Sequence, residues 1–294
     1  MASLRSTLTG RPVVSVAMAT YNGERFLPDM LESLASQTRP PDELIVRDDA
    51  SEDGTVGLLH AFARRVPFRV EVVAGDRRLG YAQNFVAASQ ACRGSLVFFA
   101  DQDDVWRPTK LATVADRVRR RTPMAVFHDF ALIDDQGSRF ADSFYDLLTE
   151  RGIPPVAALK GCSMAVTRAF IDTWGWPPPE SRVSHDFWVA LLATAFDQRQ
   201  NLPEPLIDHR LHGGNASGWI PEDSSREFTR AGDGADPTRL LIDLVLKPPR
   251  LKPRTQTFLD VLRERGDAVD AAATENLRRL LRANLRRHRE AARA

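Results

Sequence analysis

The segment SLVFFADQDDVW, residues 95–106, decides the fold prediction because it joins a continuous apolar run to a cluster of carboxylates. A run as apolar as LVFFA is typical of a strand that is buried on both faces of a sheet. Asp101, Asp103 and Asp104 follow it and repel one another unless something neutralises them. A hard divalent cation such as Mg²⁺ or Mn²⁺ does so with oxygen ligands. The alternative is an acidic turn that caps the next helix.

Strand and helix patterns alternate on both sides of this segment. Short apolar or β-branched runs predict further strands over residues 13–19, 43–47, 69–73 and 125–127. Apolar residues at helical spacing predict helices over residues 25–36, 56–65, 82–91 and 110–121. This alternation predicts an α/β fold with a mostly parallel, Rossmann-like central sheet flanked by helices. Ligands bind beyond the carboxyl ends of such strands, where Asp48 and Asp49 form a second acidic pair.

The composition indicates a globular protein with two differently charged parts. The chain has 294 residues, of which 43% are hydrophobic, and a formal net charge of +1. Residues 236–294 carry 14 Lys and Arg against 8 Asp and Glu, so a basic tail follows a mildly acidic body. Two cysteines are too few for a disulfide framework. Because residues 1–12 lack a signal-peptide apolar region and no apolar run is long enough to span a bilayer, we expect a cytoplasmic, soluble protein.

The order of the motifs resembles the family 2 glycosyltransferases, which have the GT-A fold. The motifs that carry the resemblance are SVAMATYNGERFLPDMLESLASQT from residue 15, DELIVRDDASEDGT from residue 42, LGYAQNF from residue 79, SLVFFADQDDVW from residue 95 and SHDFW from residue 184. The DQDDVW form and the segment RLHGGN, residues 210–215, are most similar to bacterial rhamnosyltransferase-like members. The resemblance implies a GT-A domain over residues 12–220, after an N-terminal extension at residues 1–11. Residues 221–235 then form a predicted linker, and residues 236–294 a helical, basic C-terminal extension.

The resemblance implies a nucleotide-sugar site built from residues that follow the strands. These are Ala19, Thr20, Tyr21, Asp49, Arg77, Asn84 and Asp101. At the end of the first strand, the backbone and the aromatic ring of Tyr21 would pack against the nucleotide base. Asp49 would accept a hydrogen bond from a pyrimidine N3–H, a contact that a charged acceptor strengthens.

The resemblance also implies the metal ligands and the catalytic base. Asp101 and Asp103 would bind Mg²⁺ or Mn²⁺, with His212 as a further ligand near the leaving diphosphate. Asp186 would be the general base that takes the proton of the acceptor hydroxyl, so that one displacement inverts the anomeric centre. Asp186 could instead cap its helix, and His212 could be structural. Many family members have an acidic residue where this chain has His185, which bears on how the acceptor is held.

The predicted activity is the inverting transfer of a sugar from dTDP-rhamnose or a UDP-sugar to a hydroxyl group. The acceptor would be a glycan or a lipid-linked glycan in cell-surface polysaccharide or glycoconjugate synthesis. Residues 277–294 contain seven Arg, with leucines at helical spacing. They predict either peripheral contact with the inner face of the membrane or a solvated helix packed on the body.

Four other functions compete with this prediction. A nicotinamide dehydrogenase would need a Gly-rich turn after the first strand, where only Gly23 is present. A noncatalytic nucleotide-sugar sensor would keep the donor site and lack the base. An aspartyl-nucleophile phosphatase would carry its Asp-x-Asp motif on the first strand, which here ends in Ala19, Thr20 and Tyr21. Nucleic-acid binding has only the basic tail in its favour, and the acidic body argues against it.

Overall fold

The computed structural model describes residues 11–119, 121–150, 155–177, 179 and 183–215. In these ranges the strands are β1 (Val14–Thr20), β2 (Glu43–Asp48), β3 (Arg69–Ala74), β4 (Leu96–Ala100), β5 (Val105–Trp106), β6 (Ala125–Ile133), β7 (Arg139–Ala141), β8 (Met164–Thr167) and β9 (Arg199–Arg210). The helices are α1 (Leu27–Ala35), α2 (Thr55–Arg65), α3 (Tyr81–Ala91), α4 (Lys110–Ala115), α5 (Phe144–Glu150), α6 (Arg168–Trp174) and α7 (His185–Ala195).

The strands form one sheet with the order β3-β2-β1-β4-β8-β6-β9-β5, and β7 pairs with β6 at its side. β1 to β4 are mutually parallel, and β6 and β9 run in the same direction. β8, β5 and β7 run the opposite way. The predicted α/β class with a mostly parallel central sheet is therefore confirmed.

Helices cover both faces of the sheet because the inner strands are apolar on both sides. Successive side chains of a strand point to opposite faces, so Phe98 and Phe99 of β4 enter two different cores. Phe99 packs with residues of α3 and α7, and Phe98 packs with residues of α1 and α2. Both rings are fully buried. Burying a side chain of this size contributes about 1.5–3 kcal/mol to stability.

The structure departs from the sequence prediction mainly after β4. The predicted helix 110–121 ends at Ala115, and the Arg117 N–H then bonds to the Val114 carbonyl at 3.1 Å in a tighter turn. β8 enters the sheet antiparallel between β4 and β6. β9, with 12 residues, is the longest strand in the described ranges.

Several predictions concern residues outside the described ranges. They are the N-terminal extension apart from residue 11, the linker over residues 221–235, and the helical extension with its basic stretch. The domain boundaries therefore stay predictions. Among the described residues, no helix is both long and apolar enough to cross a membrane.

Candidate active site

The carboxyl ends of β1, β2 and β4 lie along one edge of the sheet, as the parallel order predicts. Thr20 stands opposite Asp48, and Met18 stands opposite Ala100. The three acidic or aromatic loops that follow these strands therefore start side by side. The loop after β1 is also joined to the loop after β2, since the Asn22 N–H donates to Ser51 Oγ at 2.9 Å.

Two of these loops carry unusual backbone conformations. Asn22 has φ 45° and Ala50 has φ 62°. Both values lie in the left-handed backbone region that residues other than glycine rarely adopt. Such residues persist only where the surrounding structure holds them, and they concentrate at functional sites. Hydrogen bonds hold this pair of loops, including one from the Glu52 N–H to Asn22 Oδ1 at 2.9 Å.

Asp103 and His212 meet although they are 109 residues apart. His212 Nε2 lies 2.8 Å from Asp103 Oδ2, and Asn215 Nδ2 lies 3.3 Å from the same oxygen. Because His212 Nδ1 accepts from the Gly214 N–H, Nε2 carries the proton and donates to Asp103. The imidazole ring also packs on Phe26, with the ring centroids 4.7 Å apart. The end of β9 thus delivers a nitrogen ligand to the acidic loop after β4.

Asp101 lies in a crowded electrostatic environment. Burial, together with the charges of Asp104 and Asp103, raises the pKa of the Asp101 carboxyl to about 7. The part of this shift that comes from Asp104 and Asp103 reflects negative charge that the described residues do not fully neutralise. A divalent cation with carboxylate ligands would relieve this repulsion, so the donor set of Asp101, Asp103 and His212 fits a metal ion.

Asp104 points away from this set into a buried ion pair. His209 Nδ1 donates to Asp104 Oδ1 at 2.7 Å, and the Arg210 N–H donates to the same oxygen at 3.2 Å. Burial alone would raise the pKa of Asp104, but the charge of His209 and its hydrogen bond hold that pKa below its ordinary value. Asp104 therefore anchors β9 beneath the acidic loop.

Lys110 is a second buried cation near Asp104. Its ammonium group donates to the Cys162 carbonyl at 2.7 Å and lies 3.6 Å from the Trp106 ring centroid. Burial lowers the pKa of Lys110 to about 7. Asp104, Cys162 and His209 bring potential ligand atoms within 4.8 Å of one another. The direct His209–Asp104 bond and the neighbouring ammonium explain this cluster as charge pairing rather than as a metal site.

Asp49 and Tyr21 form the predicted base-binding end of the site. The buried Asp49 carboxylate accepts the Leu79 N–H at 2.5 Å and the Gly80 N–H at 2.9 Å, one on each oxygen. It thereby fixes the loop before α3. The Arg78 guanidinium lies 3.5 Å above the Tyr21 ring centroid, and its Nε lies 3.7 Å from Asp49. Asp49, Tyr21 and Arg78 thus form one contiguous surface.

The other predicted nucleotide-site residues lie around this surface in different environments. Thr20 is buried and donates its hydroxyl to Asp48 at 2.8 Å, so it supports the strand end. Ala19 is partly buried next to it in β1. Asn84 is buried in α3, and its Nδ2 has no partner among the described residues. Arg77 is exposed, and the neighbouring Arg78 is the arginine that contacts Tyr21.

Asp186 lies in the first turn of α7, one residue after the helix begins. Ser184 occupies the N-cap position, so Asp186 is not the cap residue itself. Its Oδ1 accepts the Phe187 N–H at 2.8 Å, and Oδ2 has no hydrogen bond within the described part of the chain. The side chain is partly exposed. A carboxylate oxygen is therefore available at the start of α7.

His185 holds the start of α7 against the sheet. It is buried, and its ring packs on Phe85 and Phe99 with centroids 4.6 and 5.1 Å away. Burial lowers the pKa of His185, so the ring is neutral. Neither ring nitrogen has a hydrogen-bond partner among the described residues. His185 thus joins Asp186 to β4, the strand that ends in the acidic loop.

Gly161 leaves room for this contact, and we expect its replacement to destabilise the protein. A Cβ atom at residue 161 would lie 2.8 Å from His185 Nε2 and 3.6 Å from the Asp186 Cβ. Overpacking of this kind costs about 1–3 kcal/mol, so Gly161→Ala should lower the free energy of unfolding measured in urea. Gly57 in α2 has open space around it. Gly57→Ala should raise the free energy of unfolding by about 0.5–1 kcal/mol. If Gly161→Ala and Gly57→Ala shift the free energy of unfolding in the same direction, this expectation is wrong.

Arg210 serves as a structural cation next to the acidic loop. The guanidinium of Arg210 is buried. It donates to the Asp103 carbonyl at 3.0 Å and to Asp29 Oδ2 at 2.9 Å. Arg210 therefore holds the acidic loop between β9 and α1.

The protein has a GT-A fold, as its similarity to solved structures shows. Over 95% of the chain, the protein is similar to the crystal structure of S. aureus TarS 1-349 in complex with UDP, with 18% identity, a TM-score of 0.56 and 91% of that structure covered. It is also similar to the mannosyltransferase PcManGT from Pyrobaculum calidifontis in complex with GDP-Man and Mn²⁺, with 19% identity and a TM-score of 0.54. That match covers 96% of this chain and 76% of PcManGT.

Residues 15–170 match the model of glycosyl transferase family 2, and the chain belongs to this family. It is 28% identical to the putative teichuronic acid biosynthesis glycosyltransferase TuaG of Bacillus subtilis, over 68% of this chain and 80% of TuaG. It is 32% identical to the undecaprenyl-phosphate 4-deoxy-4-formamido-L-arabinose transferase of Pseudomonas fluorescens, over 68% of this chain and 59% of that protein. These matches leave the phosphatase alternative without support.

Proposed function

We propose that this glycosyltransferase moves a sugar from dTDP-rhamnose or a UDP-sugar to an acceptor hydroxyl, with inversion and with Mg²⁺ or Mn²⁺. The observation that carries the proposal is the contact of His212 with Asp103, in the loop that begins at Asp101, on the sheet edge that also bears Asp49 and Tyr21. A cation bound by Asp101, Asp103 and His212 would neutralise a diphosphate, and Asp49 with Tyr21 would bind the nucleoside.

Each of these groups has its own role in the proposed reaction. Each Asp49 oxygen accepts one backbone N–H and retains a lone pair for a pyrimidine N3–H. Tyr21 and Arg78 present a stacked aromatic and cationic surface beside it. Asp186 Oδ2 is available to take the proton from the acceptor hydroxyl. A bound divalent cation would stabilise the negative charge of the leaving diphosphate.

The relatives support a role in cell-surface polysaccharide or glycoconjugate synthesis. TuaG is named for teichuronic acid biosynthesis, and the Pseudomonas fluorescens relative for an undecaprenyl-phosphate substrate. A glycan or a lipid-linked glycan is therefore the proposed acceptor. Peripheral membrane contact through residues 277–294 stays a prediction on residues outside the described ranges.

A panel of nucleotide-sugars with Mn²⁺ tests the proposed activity directly. Purified protein is incubated with UDP-, dTDP-, GDP- and ADP-sugars, and release of the nucleoside diphosphate is measured. We expect a UDP- or dTDP-sugar to be consumed fastest. No turnover with any donor and acceptor, combined with tight nucleotide binding, would support the noncatalytic sensor instead.

We expect UDP or dTDP, together with Mn²⁺, to raise the melting temperature. A ligand that binds only the native state stabilises it by mass action, by about 2.7 kcal/mol at one hundred times its dissociation constant. Asp49→Ala should reduce this ligand-induced shift, because it removes the acceptor for the base. Asp172→Ala, an exposed change in α6, should leave the shift unchanged. An equal shift with ADP would show that the pyrimidine assignment is wrong.

A further inference from the structure

Gln102, which lies between Asp101 and Asp103, makes a two-point contact with the backbone of Tyr21. Its Oε1 accepts the Tyr21 N–H at 2.8 Å, and its Nε2 donates to the Tyr21 carbonyl at 2.9 Å. A carboxamide has both an acceptor and donors, so it matches the N–H and C=O of one residue. The contact joins positions that are 81 residues apart.

This contact extends the pairing between β1 and β4 beyond the ends of the strands. The last paired residues of the two strands are Met18 and Ala100. Past this point the chains leave the regular ladder, and the Gln102 side chain ties them together again. The Gln102 side chain therefore links the acidic loop after β4 to the loop after β1, which holds Tyr21.

Gly23 provides the space that the Gln102 side chain occupies. A Cβ atom at residue 23 would lie 2.3 Å from Gln102 Oε1 and 2.5 Å from its Cδ. Gly23 itself is held in place, since its N–H donates to Thr55 Oγ1 at 2.8 Å. Any side chain at residue 23 would thus displace the amide of Gln102.

We propose that Gln102 is a positioning residue that couples nucleoside binding at Tyr21 to metal binding at Asp101 and Asp103. This inference rests on the proposed function of these two loops. A nucleoside that orders the Tyr21 backbone also orders Gln102. The residues directly before and after Gln102 are Asp101 and Asp103. The coupling is reciprocal, so a bound metal tightens nucleoside binding by the same factor.

The chemistry of the amide explains why other side chains would not replace it. A glutamate would accept the Tyr21 N–H but would set a second negative oxygen against the Tyr21 carbonyl. A methionine has similar length but forms neither hydrogen bond. Gln102→Met therefore removes the connection with little change in volume.

The test measures Mn²⁺ affinity by titration calorimetry, with and without saturating uridine or thymidine. A nucleoside has no phosphate, so any coupling to the metal must pass through the protein. We expect the nucleoside to tighten Mn²⁺ binding of the wild-type protein about 5-fold, the lower end of usual coupling factors. Gln102→Met and Gly23→Ala should both lose this effect. Gln90→Met, an exposed change at the far end of α3, should retain it.

The same coupling factor in Gln102→Met as in the wild-type protein would overturn this inference, as would independent binding of nucleoside and Mn²⁺ to the wild type. If Gln102→Met does not fold, Gly23→Ala carries the test, because it displaces the amide from the opposite side. A wild-type protein that binds neither nucleoside nor Mn²⁺ would refute the proposed function itself. The two failures are therefore distinguishable.

Discussion

Asp103→Asn should lower transfer about a hundredfold or more and weaken Mn²⁺ binding, while the protein stays folded. The carboxylate lies 2.8 Å from His212 Nε2, in the loop where burial and repulsion from Asp104 and Asp103 raise the pKa of Asp101 to about 7. A neutral amide removes one charged ligand, and a hundredfold loss in rate corresponds to about 2.7 kcal/mol of transition-state stabilisation. The amide oxygen can still accept the His212 N–H, so the end of β9 stays in place.

Steady-state rates and Mn²⁺ titrations on the same samples check this expectation. Asp116→Asn is the matched control, because Asp116 is exposed at the C-terminal end of α4 and is not part of the acidic loop. Its rate and its Mn²⁺ affinity should equal those of the wild-type protein. Full transfer by the wild type in excess chelator would show that no metal is needed and that Asp103 has another role.

The sequence predicted the part of the site that depends on strand order. β1, β2 and β4 are short, apolar and parallel, so their carboxyl ends had to share one edge. Asp49 and Asp101 could be assigned to that edge because each directly follows a strand. The family prediction is confirmed, whereas the rhamnosyltransferase-like resemblance stays a prediction about the donor.

The contacts that sequence reasoning missed depend on pairings between distant residues. The Asp104–His209 ion pair requires β9 to lie beside β5, and no local pattern specifies that neighbour. The choice between Arg77 and Arg78 depends on the conformation of an exposed loop, where two adjacent arginines have the same composition. The position of Gln102 within DQDD was visible, but its partner 81 residues earlier was not.

Asp186→Asn should reduce transfer by roughly 10²–10⁴-fold, the usual contribution of a positioned base, and should preserve donor and metal binding. The asparagine oxygen can still accept the Phe187 N–H, so the first turn of α7 keeps its hydrogen bond. His185 continues to pack on Phe85 and Phe99. The lost function is therefore proton acceptance rather than the position of the helix.

A matched control separates this role from a purely structural one. Asp146 is also an acidic residue in the first turn of a helix, at the start of α5, and it is exposed. Asp146→Asn should keep the wild-type rate. Equal thermal shifts with UDP or dTDP in wild type and Asp186→Asn would show that the donor site is intact while turnover falls.

The stereochemistry of the product completes the test of Asp186. A single displacement assisted by one base inverts the anomeric centre, so NMR should show the configuration opposite to that of the donor. Retention would rule out this mechanism, because it requires two displacements or a different path. If Asp186→Asn transferred sugar at the wild-type rate, Asp186 would have only a structural role, through its hydrogen bond with the Phe187 N–H. Another residue would then be the base. Donor binding without transfer by the wild-type protein, over the whole donor panel, would instead favour the nucleotide-sugar sensor.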